Sequence, residues 1–506
     1  MSKPGTFSRP AAVLLIVLMT CVSIAQQPDI PGGAGVLVAS ADVEAKLGKG
    51  IFTPVQSKPH VNKAPEKKTV VRAHPRSNTA GNRNSNNSGN SNNSGGVRVV
   101  DAESYNKQGD DLFDAGKYEQ AATSYQQAIK MRPNYAEAYL NLGETYFNLG
   151  KYDDAIAADS QAISLKLESA DAYRALGLAQ LHKNNLTEAV TALKHAHELN
   201  SADPEIRNAL SLAYYNQGVA AYNANNYDEA IARYRDAIEV KADYAEAYNN
   251  LGDAYQKQKK LPEAIAAYKH AVALKPDMLD AYSDLSMIYD QQGRYPEAVE
   301  AYRQVIRLKP DDAEANNNMG YALGKSKQWP AAIAAFQRAI QLKPDYAEAY
   351  SNLGWAYNNT GNYSAAIEPL KKAIQLKPSL PEGHFNIGIT YTRLIQQQPN
   401  ATSDYKQQAL TEFQQTIQLK PDWPAAQNNL GVAYGNLGNW KQAIVAHNEA
   451  VRLKPDYAGA YYNLGVDYLM AGNKKAATQQ YEKLKPLNPN NANILYQQIQ
   501  NFKKPK

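Results

Sequence analysis

Nearly the same phrase recurs through most of the chain, at a basic spacing of 34 residues. IQLKPDYAEAYSNLGWAY spans residues 340–357, and VRLKPDYAGAYYNLGVDY spans residues 451–468. Aligning such phrases defines eleven units, which begin at residues 102, 136, 170, 204, 245, 279, 313, 347, 381, 424 and 458. A fixed period of this length indicates a repeat architecture, so the usual prior of one domain per ~150 residues does not apply.

Apolar and small residues recur within each unit at the spacing of one helix face. In the unit that begins at 347, a first set with the spacing i, i+3, i+4, i+7 consists of Tyr350, Leu353, Gly354 and Tyr357. A second set with the spacing i, i+4, i+7 consists of Ala366, Leu370 and Ala373. Each unit is therefore predicted to be a hairpin of two amphipathic helices.

The turns and helix ends of these hairpins also have sequence signals. Glycines suited to a left-handed helix stop fall between the two helices: Gly116, Gly150, Gly293, Gly361, Gly438 and Gly472. Prolines that open a second helix follow in some units: Pro262, Pro296 and Pro330. Asp345 with Glu348 predicts a capping box at the start of a first helix.

At this point the units resemble the tetratricopeptide repeat family, whose pattern W-x2-L-G-x2-Y, A-x3-F and P has this period. The resemblance covers about residues 102–489, and it implies an all-α fold, a right-handed superhelical solenoid of about eleven 34-residue helical hairpins. The 35 Tyr, against 8 Phe, mostly fill its aromatic core positions. Residues 490–506 are predicted to form a C-terminal capping helix and tail, because ANILYQQIQNFKK has one apolar and one polar side.

Two units are longer than the others. The unit at 204 has 41 residues, and we expect the seven extra residues to lengthen its first helix by about two turns. The unit at 381 has 43 residues, and Pro399 within its surplus should end a helix before a polar loop. Whether the insertions at 204–244 and 381–423 serve binding is open, since surface loops tolerate insertion.

The N-terminus has the layout of a secretory signal peptide. Lys3 and Arg9 precede the apolar run AAVLLIVLMTCVSIA, and Ser23 and Ala25 are small residues suited to cleavage after Ala25. We therefore expect residues 1–25 to be a signal and the protein to be exported, periplasmic or secreted rather than membrane-anchored. An uncleaved anchor, or lipidation at Cys21, the only cysteine, are the alternatives.

Residues 26–101 are predicted to be a disordered tether, because RSNTAGNRNSNNSGNSNNSGG offers almost no apolar side chain for burial. Residues 1–100 have 12 Lys and Arg against 4 Asp and Glu, which leaves 42 against 45, a net charge of −3, for residues 101–506. Nucleic acid is not an expected partner, because phosphate contact needs concentrated Lys and Arg.

Residues at the second, sixth and ninth positions of the first helix line the groove in the resembling family. The sixth position is Asn in most units and Asp284 in one. The asparagines are Asn141, Asn250, Asn318, Asn352, Asn386, Asn429 and Asn463. Amides match the donors and acceptors of a peptide backbone, so this file predicts a peptide groove. Aromatic anchors predicted for the same groove are Tyr321, Trp355, Phe385 and Tyr462. The acidic second positions favour capping, and the family's basic grip on a C-terminal carboxylate is not expected.

The sequence contains no pattern typical of an enzyme, a cofactor site or a metal site. His195 and His197 are two residues apart and face different sides of a helix, and there is no H-E-x-x-H, P-loop or nucleophile elbow. The repeats most resemble those of the peptide O-glycosyltransferases, whose catalytic domain follows the repeats. This sequence continues only to Lys506, so we expect no catalytic domain, no catalytic residue, no cofactor and no metal.

The sequence therefore predicts an exported, non-catalytic scaffold that binds partner proteins or extended peptides of unknown identity. One alternative is a lipid-anchored envelope assembly or secretion factor. Another is the substrate-recognition subunit of a separate protein-modifying enzyme, such as a glycosyltransferase. The oligomeric state, the pathway and the organism do not follow from the sequence.

Overall fold

The computed structural model describes residues 101–397 and 403–502, and every regular element within them is an α-helix. The predicted signal, residues 26–100 of the predicted tether, Cys21 and Pro399 lie outside the described residues. The predicted all-α fold of about eleven helical hairpins with a C-terminal capping helix is confirmed.

The helices alternate along the chain as the first and second members of hairpins. The first helices are α1 Ala102–Asp114, α3 Ala136–Asn148, α5 Ala170–His182, α7 Pro204–Asn223, α9 Ala245–Lys257, α11 Leu279–Gln291, α13 Ala313–Lys325, α15 Ala347–Asn359, α17 Pro381–Gln397, α19 Pro424–Asn436 and α21 Ala458–Met470. The second helices are α2 Tyr118–Met131, α4 Tyr152–Ser164, α6 Leu186–Leu199, α8 Tyr227–Val240, α10 Leu261–Leu274, α12 Tyr295–Leu308, α14 Trp329–Leu342, α16 Tyr363–Leu376, α18 Ser403–Leu419, α20 Trp440–Leu453 and α22 Lys474–Leu484. The capping helix is α23 Pro489–Asn501.

The chain divides into two compact parts, and the boundary between residues 285 and 286 falls within α11. In the first part, each helix from α1 to α9 packs against the helix that follows it. The same holds for each helix from α12 to α22 in the second part. Each part is therefore a stack of hairpins in which neighbours in sequence are neighbours in space.

The two helices of a hairpin approach closely because a glycine of the first faces a large side chain of the second. A Cβ atom at Gly252 would lie 2.7 Å from the ring of Tyr268, and one at Gly320 would lie 2.7 Å from Phe336. Both distances are too short for a real side chain. The small residues of the repeat pattern therefore set the separation of the paired helices.

The turn inside each hairpin uses the left-handed backbone conformation that its glycines predict. All six predicted turn glycines have positive φ, between 71° and 78°. Lys259 and Lys327 hold the equivalent position with φ of 60° and 61°. The prediction that Pro262, Pro296 and Pro330 lie in the first turn of a second helix is confirmed.

The phrase LKPDY forms the connection between hairpins. Tyr346 and Tyr457 are buried and immediately precede first helices. The preceding Lys343 and Lys454 lie over these rings, with the ammonium nitrogen 4.9 Å and 5.1 Å from the ring centroid. Repetition of this phrase therefore encodes both a buried aromatic ring and a cation–π contact.

The unit at 204 absorbs its insertion as predicted. Helix α7 has 20 residues where the equivalent helices α5 and α9 have 13, so the seven extra residues extend it without a break. In the unit at 381, α17 and α18 have 17 residues each. At the C-terminus, Leu495 and Ile499 of α23 are buried in the same apolar cluster as Leu484 of α22.

Candidate functional site

The sixth-position asparagines lie on the first helices, and nearly all are buried. Asn141 is half-buried. The exposed fraction is between 2% and 5% for Asn250, Asn318, Asn352, Asn386, Asn429 and Asn463. Buried amides need hydrogen-bond partners, so their environment decides what they can offer a ligand.

Most of these asparagines donate a hydrogen bond to the fifth-position residue of the preceding hairpin, 35 residues earlier. The Nδ2 atom of Asn352 lies 2.9 Å from Oδ1 of Asn317, and that of Asn463 lies 3.0 Å from Oδ1 of Asn428. Asn386 donates to the Ser351 hydroxyl over 3.2 Å. We call this series of contacts the amide ladder.

The amide ladder also occurs in the first part of the chain. Asn250 donates to the Tyr215 hydroxyl over 2.9 Å, and Asn141 donates to Oδ1 of Asn106 over 3.2 Å. Tyr215 holds the fifth position once the seven extra residues of α7 are counted. The ladder thus joins neighbouring first helices at five places.

Two asparagines depart from this pattern, and for one of them the chemical reason is clear. Phe385 holds the fifth position before Asn429 and has no acceptor, so the Asn429 amide donates to the Ala425 carbonyl of its own helix over 2.8 Å. Asn318 accepts from Asn317 over 3.2 Å. The departure at Asn429 shows that a fifth residue without an acceptor redirects the hydrogen bond of the sixth.

In four consecutive units the sixth-position amide uses its nitrogen and leaves its oxygen open. The side chains of Asn352, Asn386, Asn429 and Asn463 each donate one hydrogen bond. No residue in the described ranges donates to their Oδ1 atoms. This part of the first-helix face therefore presents a row of hydrogen-bond acceptors and few donors. The sequence predicted that the amides would offer both donors and acceptors.

The four predicted aromatic anchors are not exposed. Trp355 and Tyr321 are 5% and 7% exposed, and Phe385 and Tyr462 are buried completely or almost so. Phe385 stacks on Trp423 with ring centroids 4.5 Å apart. The expectation of exposed aromatic rings is thus corrected, because the neighbouring hairpin covers them. Their predicted role in binding stays a prediction.

The acidic second positions make ion pairs, and the capping box predicted at Asp345 and Glu348 is wrong. The N-cap of α15 is Tyr346, one residue later than predicted, and it makes no side-chain capping hydrogen bond. Glu348 instead pairs with Lys377 over 2.6 Å, and Glu246 pairs with Lys275 over 3.1 Å. In both pairs the lysine belongs to the L-K-P phrase 29 residues later.

Two units replace an apolar core residue with an ionisable one. Asp159 faces Gly143, and His447 faces Gly431, at the position that Tyr268 occupies opposite Gly252. His447 Nδ1 lies 2.5 Å from Oδ2 of Asp467 in the next hairpin. Sequence reasoning missed both residues, although their place in the A-x3-F pattern was the signal that could have found them.

A third ionisable contact joins helices α17 and α18. His384 Nδ1 lies 2.6 Å from Oε2 of Glu412, and Nε2 lies 3.0 Å from the Pro378 carbonyl oxygen. Burial lowers the pKa of His384, but the hydrogen bonds to Glu412 and Pro378 outweigh burial and raise it above its ordinary value. Both ring nitrogens face acceptors, an arrangement that suits the protonated imidazole.

Neither a metal cluster nor a membrane-spanning helix occurs in the part of the chain that the structure describes. No three His, Cys, Asp or Glu side chains there are grouped as a metal site would require. None of the helices there combines the length and apolar character needed to cross a bilayer.

Family models for the TPR repeat match residues 109–150, 220–259 and 436–472. Models for the tetratricopeptide repeat match residues 243–311, and also 146–204, 283–346 and 317–381. Together these matches cover more than half of the 506 residues. No curated protein matches the chain.

Solved structures of helical repeat proteins are similar at low TM-scores. The APC/C hetero-tetramer Cut9–Hcn1 is 15% identical with a TM-score of 0.41, over 79% of this chain and 96% of that chain. Yeast Tom70 is 15% identical with a TM-score of 0.35, over 80% and 97%. MamA is 30% identical with a TM-score of 0.30, over 35% and 92%. On the strength of the family models and the repeated hairpins, the chain belongs to the tetratricopeptide repeat family.

Proposed function

We propose that the protein is an exported, non-catalytic scaffold that binds extended segments of partner proteins along its first helices. The observation that carries this proposal is the file of amide oxygens at Asn352, Asn386, Asn429 and Asn463. Backbone N–H groups of an extended chain are the complementary donors. Such contacts depend little on the side chains of the partner, which fits a scaffold with varied partners.

The repeat architecture supports the proposal. Stacked hairpins present the same first-helix position once per unit, so one kind of contact can recur along a bound segment. Asn352, Asn386 and Asn463 are fixed in orientation by their hydrogen bonds to the preceding hairpin. Fixed acceptors lose little conformational entropy when a ligand binds.

Export is supported by the sequence of the first 25 residues, which precede the described part. We expect the mature protein to begin at Gln26 and to occur in an exported fraction. The mass of the N-terminal peptide measures the cleavage point. A lipid-modified N-terminus at Cys21 would favour the envelope-anchored alternative, and an intact leader in cytosol would contradict export.

The binding proposal is tested with the full mature chain and an extract of exported proteins. We expect capture of partners through unstructured segments, and we expect hydrogen exchange of the complex to show added protection in α15, α17, α19 and α21. Protection confined to the second helices, or no capture at all, would contradict the proposal. A stable one-to-one complex with a single enzyme would instead favour the substrate-recognition alternative.

A further inference from the structure

Four aromatic rings in the second part of the chain form a continuous group, which we call the aromatic cluster. It consists of Tyr295, Tyr321, Trp329 and Trp355. The rings of Tyr321 and Trp355 are stacked with centroids 5.9 Å apart, and Trp329 meets Trp355 edge-on at 5.1 Å. Tyr295 meets Tyr321 edge-on at 6.5 Å.

Two polar atoms are buried without a hydrogen-bond partner in the described part of the chain: Nε1 of Trp355, within the cluster, and Oδ1 of Asp290. Trp355 is 5% exposed. A buried donor or acceptor that lacks a partner is destabilising, so native structures keep few of them. One unpaired donor and one unpaired acceptor therefore lie around the same cluster.

Asp290 adjoins the aromatic cluster electrostatically. Burial raises the pKa of Asp290 to about 6, and the nearby Lys325 opposes this shift. Burial is the main cause that raises the pKa of Tyr295 and of Tyr321, and the Asp290 charge adds to both shifts. At neutral pH the site thus combines a desolvated carboxylate with aromatic rings.

This group is specific to its units and is not part of the general repeat. Asp290 is the twelfth residue of its first helix, a position that is aromatic or Leu in the first four units: Phe113, Phe147, Leu181 and Tyr222. The ninth position is aromatic only at Tyr321 and Trp355. Gly324 provides room, because a Cβ atom there would lie 2.6 Å from the Trp355 ring.

The aromatic cluster already holds one cation. The Lys325 ammonium lies 6.0 Å from the centroid of the Tyr295 ring. Ammonium and guanidinium groups are attracted to ring faces, and a neighbouring carboxylate adds to the attraction. The chemistry at this point of the first helices is therefore that of a site for a basic side chain.

We propose that the aromatic cluster and Asp290 bind one Lys or Arg side chain of a bound peptide, in the place that Lys325 holds in the structure. The Trp355 indole N–H then donates to a carbonyl oxygen of the same peptide. The proposal rests on the proposed function, and it adds a preference for a basic residue at one point of the bound segment. Lys325 is the internal competitor that the partner displaces.

The test uses the indole N–H signals of the full mature chain, because the protein has four Trp. The signal of Trp355 is assigned with Trp355→Phe. N-acetyl-lysine methylamide and N-acetyl-arginine methylamide are titrated as probes, and N-acetyl-norleucine methylamide is the uncharged control. We expect saturable shifts of the Trp355 and Trp329 signals with the two basic probes only, while the signals of Trp423 and Trp440 stay in place.

Two substitutions with opposite expected effects separate binding from packing. Asp290→Asn keeps the shape of the side chain but removes its charge. It should raise the Kd of the two basic probes about tenfold, which corresponds to ~1.4 kcal/mol for a lost charged contact. Lys325→Met removes the competing ammonium group and should lower the Kd of both basic probes. Lys327→Met, an exposed neighbour, is the matched control and should change nothing.

Equal shifts with norleucine, or unchanged affinity in both Asp290→Asn and Lys325→Met, would overturn the proposal and leave the cluster as packing alone. Because the probes are small molecules, this outcome is independent of partner capture. If the protein captures partners but the Trp355 signal does not respond to the basic probes, the proposed function stands and only the proposal for the aromatic cluster is wrong.

Discussion

Asp159 and His447 lie where most other second helices place an aromatic or Leu side chain over the first-helix glycine. Equivalent residues in other units are Tyr125, Leu193, Tyr234, Tyr268, Phe336, Leu370 and Phe413. Oδ1 of Asp159 is buried without a partner in the described part of the chain. Burial, with the Glu144 charge, raises the pKa of Asp159 well above its ordinary value. The core of this hairpin therefore retains a destabilising group.

Replacing Asp159 with Leu, the residue at this position in two other units, should stabilise the protein. The expected gain at pH 7 is about 1–3 kcal/mol, the cost of a buried unsatisfied polar group. Because the folded pKa is raised, the folded state binds more protons than the unfolded state, and native stability falls as pH rises above the unfolded pKa near 4. The gain should therefore be smaller at pH 4 than at pH 7 in urea unfolding.

Asp154→Leu is the matched control, since Asp154 is exposed in the first turn of the same helix α4. An acidic residue there interacts favourably with the helix dipole, so its removal should give no gain. Equal stabilisation by both substitutions would show that added apolar surface, not relief of the buried acid, is the cause.

The turns between paired helices show the same kind of compromise at the scale of an element. Six turns use Gly in the left-handed conformation, whereas Lys259 and Lys327 adopt it with a side chain. In a non-glycine residue this conformation destabilises the folded state by about 1–2 kcal/mol. Gly avoids this strain, but it also increases the conformational entropy of the unfolded chain, which offsets part of the gain. These two turns should therefore be weaker than their Gly counterparts.

Lys259→Gly and Lys327→Gly should each raise the unfolding midpoint, with a gain of about 0.5–1 kcal/mol. The reverse change, Gly361→Lys at φ 76°, should lower stability by a similar amount. Thermal unfolding of the three variants measures the sign. A loss of stability on both Lys→Gly changes would mean that the side chains matter more than the backbone.

The contact of His384 with Glu412 makes the α17–α18 hairpin sensitive to pH. Since the pKa of His384 is raised, its stabilisation is present below the unfolded pKa near 6.5 and is lost as pH rises through the higher folded pKa. NMR titration should place the His384 midpoint above 6.5, and Glu412→Gln should lower it. A midpoint unaffected by Glu412→Gln would contradict this explanation.

For the whole molecule, the sequence predicts the helices and their pairing well. Period, turn glycines and second-helix prolines are local signals. The period runs through every unit, six units have a turn glycine and three have a second-helix proline, so the signals reinforce one another. The seven extra residues of α7 are visible for the same reason, because Gly218 stays in phase only if the helix is longer. Pro399 lies outside the described residues and is not tested.

The binding face is less predictable, because periodicity identifies a face but not how closely the neighbouring hairpin covers it. Tyr321 and Trp355 share the face predicted to be open, yet each is covered by rings from other helices. The amide ladder depends on pairs 35 residues apart, such as Asn317 with Asn352. That spacing was present in the sequence, but it predicts a hydrogen bond only once neighbouring first helices are known to lie side by side.

The central claim is that the sixth-position oxygens bind the backbone of a partner. It is tested most directly by the affinity of a captured peptide for two triple variants. One variant carries Ala at Asn352, Asn386 and Asn463, and the other carries Ala at Asn317, Ser351 and Asn428. Both break the same three hydrogen bonds of the amide ladder, so they share the loss of stability that comes from these bonds.

Only the first variant removes the proposed acceptors. At about 1 kcal/mol for each of three hydrogen bonds, it should raise the Kd roughly a hundredfold, whereas the second variant should stay within about threefold of the original chain. An equal loss of affinity in both variants, or no loss in the first, would contradict the claim and reduce the ladder to a contact between hairpins.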